Sequence, residues 1–190
     1  MDIKNLSIVR QTYANTVFTH KVQEVAAENK CKTVQHIKIA NVALVTIVLI
    51  LLILQASYPA RMIFSYLGAG ITVFEIIFLI FQLTFGFEQM AIQHKNSALK
   101  YMQLRDKYRL LITDIMNDLS DDQIKAMRDL LQSEYQVISD LSPQTGSAEY
   151  TGAQLRLNKK GAVDSEQFTW SDEEIDNFLP ENLRLKKHDK

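Results

Sequence analysis

Apolar residues fall along the chain in three different rhythms. In the first turns Leu6, Val9, Tyr13 and Val17 recur at three- and four-residue intervals with Arg10 and Gln11 between them, the spacing of an amphipathic helix. Two continuous runs follow: Ile39 to Ala60, uncharged throughout, and Met62 to Phe87, interrupted only by Glu75. Each exceeds the roughly 18 to 20 residues a helix needs to cross about 30 Å of hydrocarbon, and neither keeps the polar face of a helix on a soluble core. They predict a two-helix membrane hairpin. Beyond it Met90, His94, Ser97, Tyr101, Leu104, Tyr108, Leu111 and Ile115 follow one another at alternating steps of four and three. That seam of about four heptads predicts a helix leaving the membrane to pack along a partner helix, with the amino-terminal helix the nearest candidate.

Breakers and caps divide the pattern into elements. No Pro or Gly occurs from Met1 to Ser57, so one long helix is expected to run from the amino-terminal segment into the first span, ending at the turn SYPAR with Pro59. In LSDDQI, Ser120 and Gln123 have capping-box spacing, and Leu119 and Ile124 can staple across the cap, so a helix is expected from there to just before Pro143. Residues 143–161, PQTGSAEYTGAQLRLNKKG, read as a loop around a short helical turn. In WSDEEI, Trp170 and Ile175 staple across Ser171, whose capping partner is Glu174, and a short helix should run toward Phe178 before Pro180.

The expected fold is therefore all-α: a two-transmembrane helical hairpin whose helices extend into a cytoplasmic helical bundle. Residues 1–38 form a cytoplasmic amino-terminal helix, and 39–87 the hairpin, with spans at about 39–58 and 62–87. Cytoplasmic helices occupy 88–142, and a loop with an acidic carboxy-terminal tail occupies 143–190.

Charge sets the orientation. Arg61 is the only basic residue between the spans, whereas Lys21, Lys30, Lys32 and Lys38 precede them and Lys95, Lys100, Arg105, Lys107 and Arg109 follow. The positive-inside rule then places both termini in the cytoplasm. The 38 largely polar residues before the first run argue against a cleaved signal peptide. Cys31, the lone cysteine, falls in a reducing compartment and reads as a small buried or interfacial side chain. The basic cluster after the second span suits anionic lipid headgroups, and no direct nucleic-acid binding is expected. Seven acidic and no basic residues lie between Asp164 and Leu183, before a basic close at Arg184, Lys186, Lys187 and Lys190.

On a helical wheel the second span gathers Gly68, Thr72, Glu75, Leu79, Gln82 and Gly86 within an arc of about 80°. Two readings of this stripe stand. It is a helix contact, with Glu75 protonated and hydrogen-bonded to Gln55 or Thr46, or it lines an aqueous path in which rings of acidic side chains favour cations. Two helices alone cannot enclose a channel, so the second reading requires a homo-oligomer in the bilayer. His20, His36, His94 and His188 are scattered without metal-binding spacing, and the chain has neither a glycine-rich phosphate loop nor a nucleophile elbow. No metal, cofactor or catalytic residue is expected, so the chain reads as a non-enzyme. His94 sits on the seam and is expected to pack there.

With these elements in place the chain resembles a known family. Its spans, the helix HKNSALKYMQLRDKYRLLITDI, the capped helix carrying IKAMRDLLQSEYQVI, a Pro-containing loop and a tail with SDEEIDNFLPENLR are similar to the SLATT family, two-transmembrane effectors associated with SMODS and SLOG proteins in bacterial defence islands. The resemblance covers roughly residues 5 to 185, and its most specific positions are His94, Ala98, Tyr101, Leu104, Tyr108 and Leu111. It implies a multi-pass inner-membrane toxin of an abortive-infection system, a pore-forming or membrane-disrupting homo-oligomer. The implied trigger is a cytoplasmic sensor: a nucleotidyltransferase that makes a nucleotide messenger, a SLOG protein or a retron reverse transcriptase. The acidic tail, with Trp170, Ile175 and Phe178 in it, is the expected docking place for that sensor. Two other functions remain open, a membrane anchor that recruits a cytoplasmic complex and a proton-binding transport subunit. The hairpin with a mid-span carboxylate resembles the rotor subunit of ATP synthases, but the absence of Gly from the first span and the placing of the loop outside argue against the latter.

Overall fold

The computed structural model describes residues 3–158 and 169–185. Asp164 and Glu166 of the acidic tail, the end of the expected 143–161 loop, and the closing Lys186, Lys187, His188 and Lys190 lie outside the described residues. The elements are α1 (Ile3–Ser57), α2 (Ile63–Phe85), α3 (Phe87–Met116), α4 (Asp121–Leu141), α5 (Ser147–Arg156), α6 (Asp172–Asp176) and a 3-10 turn (Glu181–Leu183). Among the described residues there is no strand, and the fold is all-α. The chain forms two compact units, Met1–Ala27 with Gln93–Lys190, and Glu28–Ile92. The first is a helical bundle and the second a helical hairpin, and α1 and α3 contribute residues to both.

α1 is continuous for 55 residues because nothing in its sequence interrupts the ladder. It has neither Gly nor Pro, and Thr12, Thr16, Thr19 and Thr33 turn their hydroxyls onto carbonyls four residues earlier. α2 stops at Gly86, whose φ of 53° is left-handed and whose N–H donates to the Gln82 carbonyl at 3.3 Å. α3 closes in a Schellman turn: Asp118 takes φ 61°, its N–H reaches the Ile115 carbonyl at 3.2 Å, and the Leu119 N–H reaches that of Asp114 at 3.1 Å.

Two local expectations are corrected here. Ser120 does open α4, but its hydroxyl donates to the Gln123 side-chain oxygen at 2.6 Å instead of accepting from the backbone, so only the apolar staple forms. Ile124 is buried and Leu119 packs on the same core. The stretch expected as a loop holds the ten-residue α5. Gly152 suggests a turn in sequence, yet it lies inside the helix: a Cβ there would sit 3.0 Å from Cγ1 of Val25, so the missing side chain lets α5 approach α1 closely.

The bundle core is one cluster. Leu6, Val9, Tyr13 and Val17 of α1 meet Tyr101, Leu104, Tyr108, Leu111 and Ile115 of α3, with Ile124, Leu131 and Ile138 of α4 on a further side. The heptad seam is thus buried on the amino-terminal helix, as its spacing predicts.

Arg10 departs from expectation. It is one of the polar residues between the apolar positions of the amphipathic pattern, yet its side chain is 1% exposed. One of its nitrogens lies 2.7 Å from Oδ1 of Asp176 and 3.6 Å from Oδ1 of Asp172. Neighbouring α1 residues continue the grip on the carboxy-terminal segment. The Gln11 amide donates to the Trp170 carbonyl at 2.6 Å and accepts from its N–H at 3.0 Å. Asn15 accepts from the Trp170 indole at 2.8 Å, and the Tyr13 hydroxyl donates to the Phe178 carbonyl at 2.8 Å. Burial pushes the Tyr13 phenol above its ordinary range and keeps it a donor.

A buried guanidinium that loses its carboxylate costs several kcal/mol, because the charge stays out of water without its partner. Asp176→Ala is expected to destabilise the docked segment by about 3 kcal/mol, with Arg10→Met in the same chain recovering much of the loss. Trp170 is the only tryptophan, so its fluorescence in the full-length protein in micelles reports the docking directly. The single variant should unfold this signal at lower denaturant and the double variant near the parent.

Candidate functional site

The hairpin unit is built on a second heptad seam. On α1 the half-buried positions include Val34, Ile37, Asn41, Leu44, Val48, Leu51 and Gln55, with Ala40 and Leu54 flanking them; on α2 they are Phe64, Gly68, Ile71, Glu75, Phe78 and Gln82, with Gly68 fully buried. Both sets advance by alternating threes and fours, the packing of an antiparallel helix pair. Most other positions of both helices are exposed, and between Ile39 and Phe85 these are overwhelmingly Ile, Leu, Val and Phe. Two helices here are long and apolar enough to cross a membrane.

Polar groups sit on this seam one heptad apart. Asn41 and Gln82 exchange two amide hydrogen bonds of 3.0 Å across it. Gln55 holds the far end, accepting from the Ser65 N–H at 3.1 Å and donating to the Pro59 carbonyl at 3.3 Å. At Gly68 a Cβ would lie 3.9 Å from Cβ of Leu51. Between the Asn41–Gln82 pair and the Leu51–Gly68 approach the half-buried seam positions of α1 are Leu44 and Val48, so the α1 seam along this stretch is apolar.

Neither expected partner reaches that carboxylate. Gln55 is engaged at the turn, and the Thr46 hydroxyl donates to the Val42 carbonyl at 2.7 Å, one turn back on its own helix. Among the described residues no hydrogen bond or ion pair reaches Glu75, which is half-buried. A wheel at 100° per residue misses this arrangement because the seam follows the 3.5-residue period of paired helices.

The stripe itself divides. Gly68, Glu75 and Gln82 lie on the seam, whereas Thr72 and Leu79 are exposed, and Thr72 returns its hydroxyl to the Gly68 carbonyl at 2.9 Å. Gly86 caps α2. Leu79, Gln82 and Gly86 meet again in a groove of about 460 Å³, beside Ile37, Leu83 and the Lys38–Glu88 ion pair at 3.2 Å. Asn41 and Val48 carry no signal in sequence, since their meaning depends on the facing register. Cys31, expected to be buried or interfacial, is exposed in the single chain.

The seam residues of the bundle, His94, Tyr101, Leu104, Tyr108, Leu111 and Ile115, are all buried. Nδ1 of His94 lies 2.7 Å from the side-chain oxygen of Gln23, whose amide in turn donates to the Pro143 carbonyl at 3.1 Å. The basic cluster is partly neutralised: Lys107 bonds Glu134 at 2.7 Å, and Arg105 and Arg109 lie 3.0 and 3.6 Å from Asp106. Trp170 and Ile175 are buried and Phe178 half-buried, with the Trp170 ring 5.4 Å from that of Phe178 and 5.8 Å from that of Phe18. The capping box of Ser171 and Glu174 forms in both directions. No metal-holding cluster occurs among the described residues.

Among curated proteins and solved structures no match was found. A family model does match, over residues 6–174, and it spans both the hairpin and most of the described bundle. The chain belongs to family 4 of the SMODS and SLOG-associating 2TM effector domains.

Proposed function

We propose that this protein is the membrane effector of a bacterial antiviral system, and that it assembles in the inner membrane and depolarises the cell when a cytoplasmic sensor is triggered. The family supports the effector role. The observation that supports assembly is the Glu75 carboxylate, half-buried at mid-span, with no hydrogen bond or ion pair among the described residues and an α1 seam that offers Leu44 and Val48 along this stretch. An acidic side chain at the centre of a span costs on the order of 2.5 to 3.5 kcal/mol on insertion scales unless protein or water receives it. One hairpin offers it no polar partner. Several hairpins around a common axis offer a water-filled ring of carboxylates, where the same side chain selects cations.

The exposed part of the stripe suits this role. Thr72 and Leu79 face away from the seam, so a neighbouring hairpin meets an exposed face that flanks Glu75. The sensor belongs to the SMODS or SLOG class or is a retron reverse transcriptase, and it reads the bundle unit from the cytoplasm.

Two expected outcomes test the reading. Both termini are cytoplasmic, so alkaline phosphatase fused at Pro59 should be active and at Lys190 inactive; the reverse pattern removes any cytosolic sensor from the account. Glu75→Gln keeps size and hydrogen bonding but removes the charge, and should bring depolarisation after native triggering down to near the untriggered level while crosslinked oligomers persist. Val48→Gln supplies an amide partner inside the hairpin and should reduce depolarisation as well, by satisfying Glu75 without a second copy. A voltage-sensitive dye reads both variants. Depolarisation equal to the parent in Glu75→Gln would exclude a charged path and leave the carboxylate as a packing residue.

A further inference from the structure

The bundle unit leaves one helix-pair face uncovered. α4 buries Ile124, Leu131 and Ile138, and its far side carries Lys125, Asp129, Gln132, Gln136 and Asp140 in water. Between these faces runs a third stripe: Met127, Leu130, Val137 and Leu141 are 40%, 68%, 55% and 70% exposed and fall, with Glu134, within an arc of about 80°. On α3, Leu99 and Leu110 are 44% and 62% exposed, about 80° and 60° round the helix from Lys107. Lys107 bonds both carboxylate oxygens of Glu134, at 2.7 and 2.8 Å. The exposed ion pair thus sits beside the four exposed apolar side chains that share an arc of α4 with Glu134. A soluble monomer rarely gathers exposed apolar residues in this way without a use for them.

The geometry points to a second copy of this chain as the occupant, docked face to face across a two-fold axis near the Lys107–Glu134 pair. The charge pattern carries the choice. A face with one cation and one anion at its centre is complementary to itself after a two-fold rotation: Lys107 of each copy meets Glu134 of the other, and the flanking apolar residues meet one another. An acidic or basic partner would leave one of the two charges opposed by its like.

Size sets where the pairing holds. The stripe on α4 is roughly 20 Å long at about 1.5 Å per residue, and two adjacent helices are about 20 Å across, giving on the order of 400 Å² per copy. Specific interfaces generally bury about 800 Å² per partner, so this face alone makes a weak dimer in dilute solution. Confinement of both copies to one bilayer raises their effective concentration and makes the pairing a property of the membrane-bound protein. The inference deepens the proposed function by naming the contact between copies, and its test requires neither a trigger nor ion flux.

The experiment uses full-length chains in bacterial membranes, with Cys31→Ser and Leu130→Cys, and a short bismaleimide as the crosslinker. The parent charges should give a dimer-sized adduct. Lys107→Glu alone and Glu134→Lys alone should each lose it, because like charges then meet across the axis. Co-expressing the two variants with tags of different size should restore a mixed adduct. Within each variant chain the pair is still mismatched, so restoration comes only from contacts between copies and also shows that both variants fold. Absence of adduct with the parent charges, adduct unaffected by the single reversals, or no mixed adduct on co-expression would each overturn the inference. An adduct that behaves as expected beside a Glu75→Gln variant that depolarises fully would remove the charged path and leave the pairing in place.

Discussion

A guanidinium inside a helical bundle must be matched, and the match made for Arg10 organises the rest of that unit. Its partner, Asp176, stands 166 residues later in the chain. The ion pair alone is a poor source of stability, because removing two charges from water consumes most of what their attraction returns. Its effect is on specificity. Only one position of α6 along α1 lets Asp176 meet Arg10, and in that position the Gln11 amide brackets the Trp170 backbone, Asn15 meets the indole, and Ile175 and Leu179 enter the core. A short helix of five residues has little stability of its own. It exists because the capping box of Ser171 and Glu174 starts it and α1 receives its apolar side.

The hairpin solves the same problem in a different solvent. Hydrocarbon offers no hydrogen bonds, so each polar group on a span needs a partner from protein. Thr46, Thr72 and Thr84 use their own helix. Asn41 and Gln82 use each other, and the reciprocal pair fixes the register of the two spans as a buried polar layer does in a coiled coil. Glu75 has no such match, because the α1 seam positions between Asn41 and Leu51 are Leu44 and Val48.

Elements governed by local rules were legible in the sequence, and those governed by facing surfaces were not. The long α1, the end of the first span near Pro59, the buried seam from His94 to Ile115 and the box at Ser171 follow from breakers, spacing and caps. The same rules failed at Ser120, where the hydroxyl found a side chain first, and at residues 147–156, where Gly152 marks a close helix approach in place of a turn. Helical spacing puts Arg10 beside Val17 on the apolar face of α1, but nothing local names its partner, which is remote in sequence. The stripe on α2 was half legible: its small and polar members were visible, but the straight-helix wheel rotated the contact face and placed Thr72 and Leu79 where Phe78 and Ile71 stand.

The contrast between Arg10 and Glu75 bears on how a sensor would act under the proposed reading. A partner shifts an equilibrium only by binding its two states unequally. With α6 docked, the exposed carboxylates of Asp172 and Glu173 are open to a partner, while Trp170 and Ile175 are not. Binding to the exposed pair alone would leave the bundle as it is. A trigger that engages Trp170 and Ile175 has to lift the segment from α1, and in doing so it strips Arg10 of its carboxylate and exposes the apolar side of α1. That cost opposes spontaneous release and sets the differential affinity the trigger must supply. In the bundle the buried charge is matched at rest and becomes unmatched on activation; in the hairpin Glu75 is unmatched at rest and finds its match in the assembly.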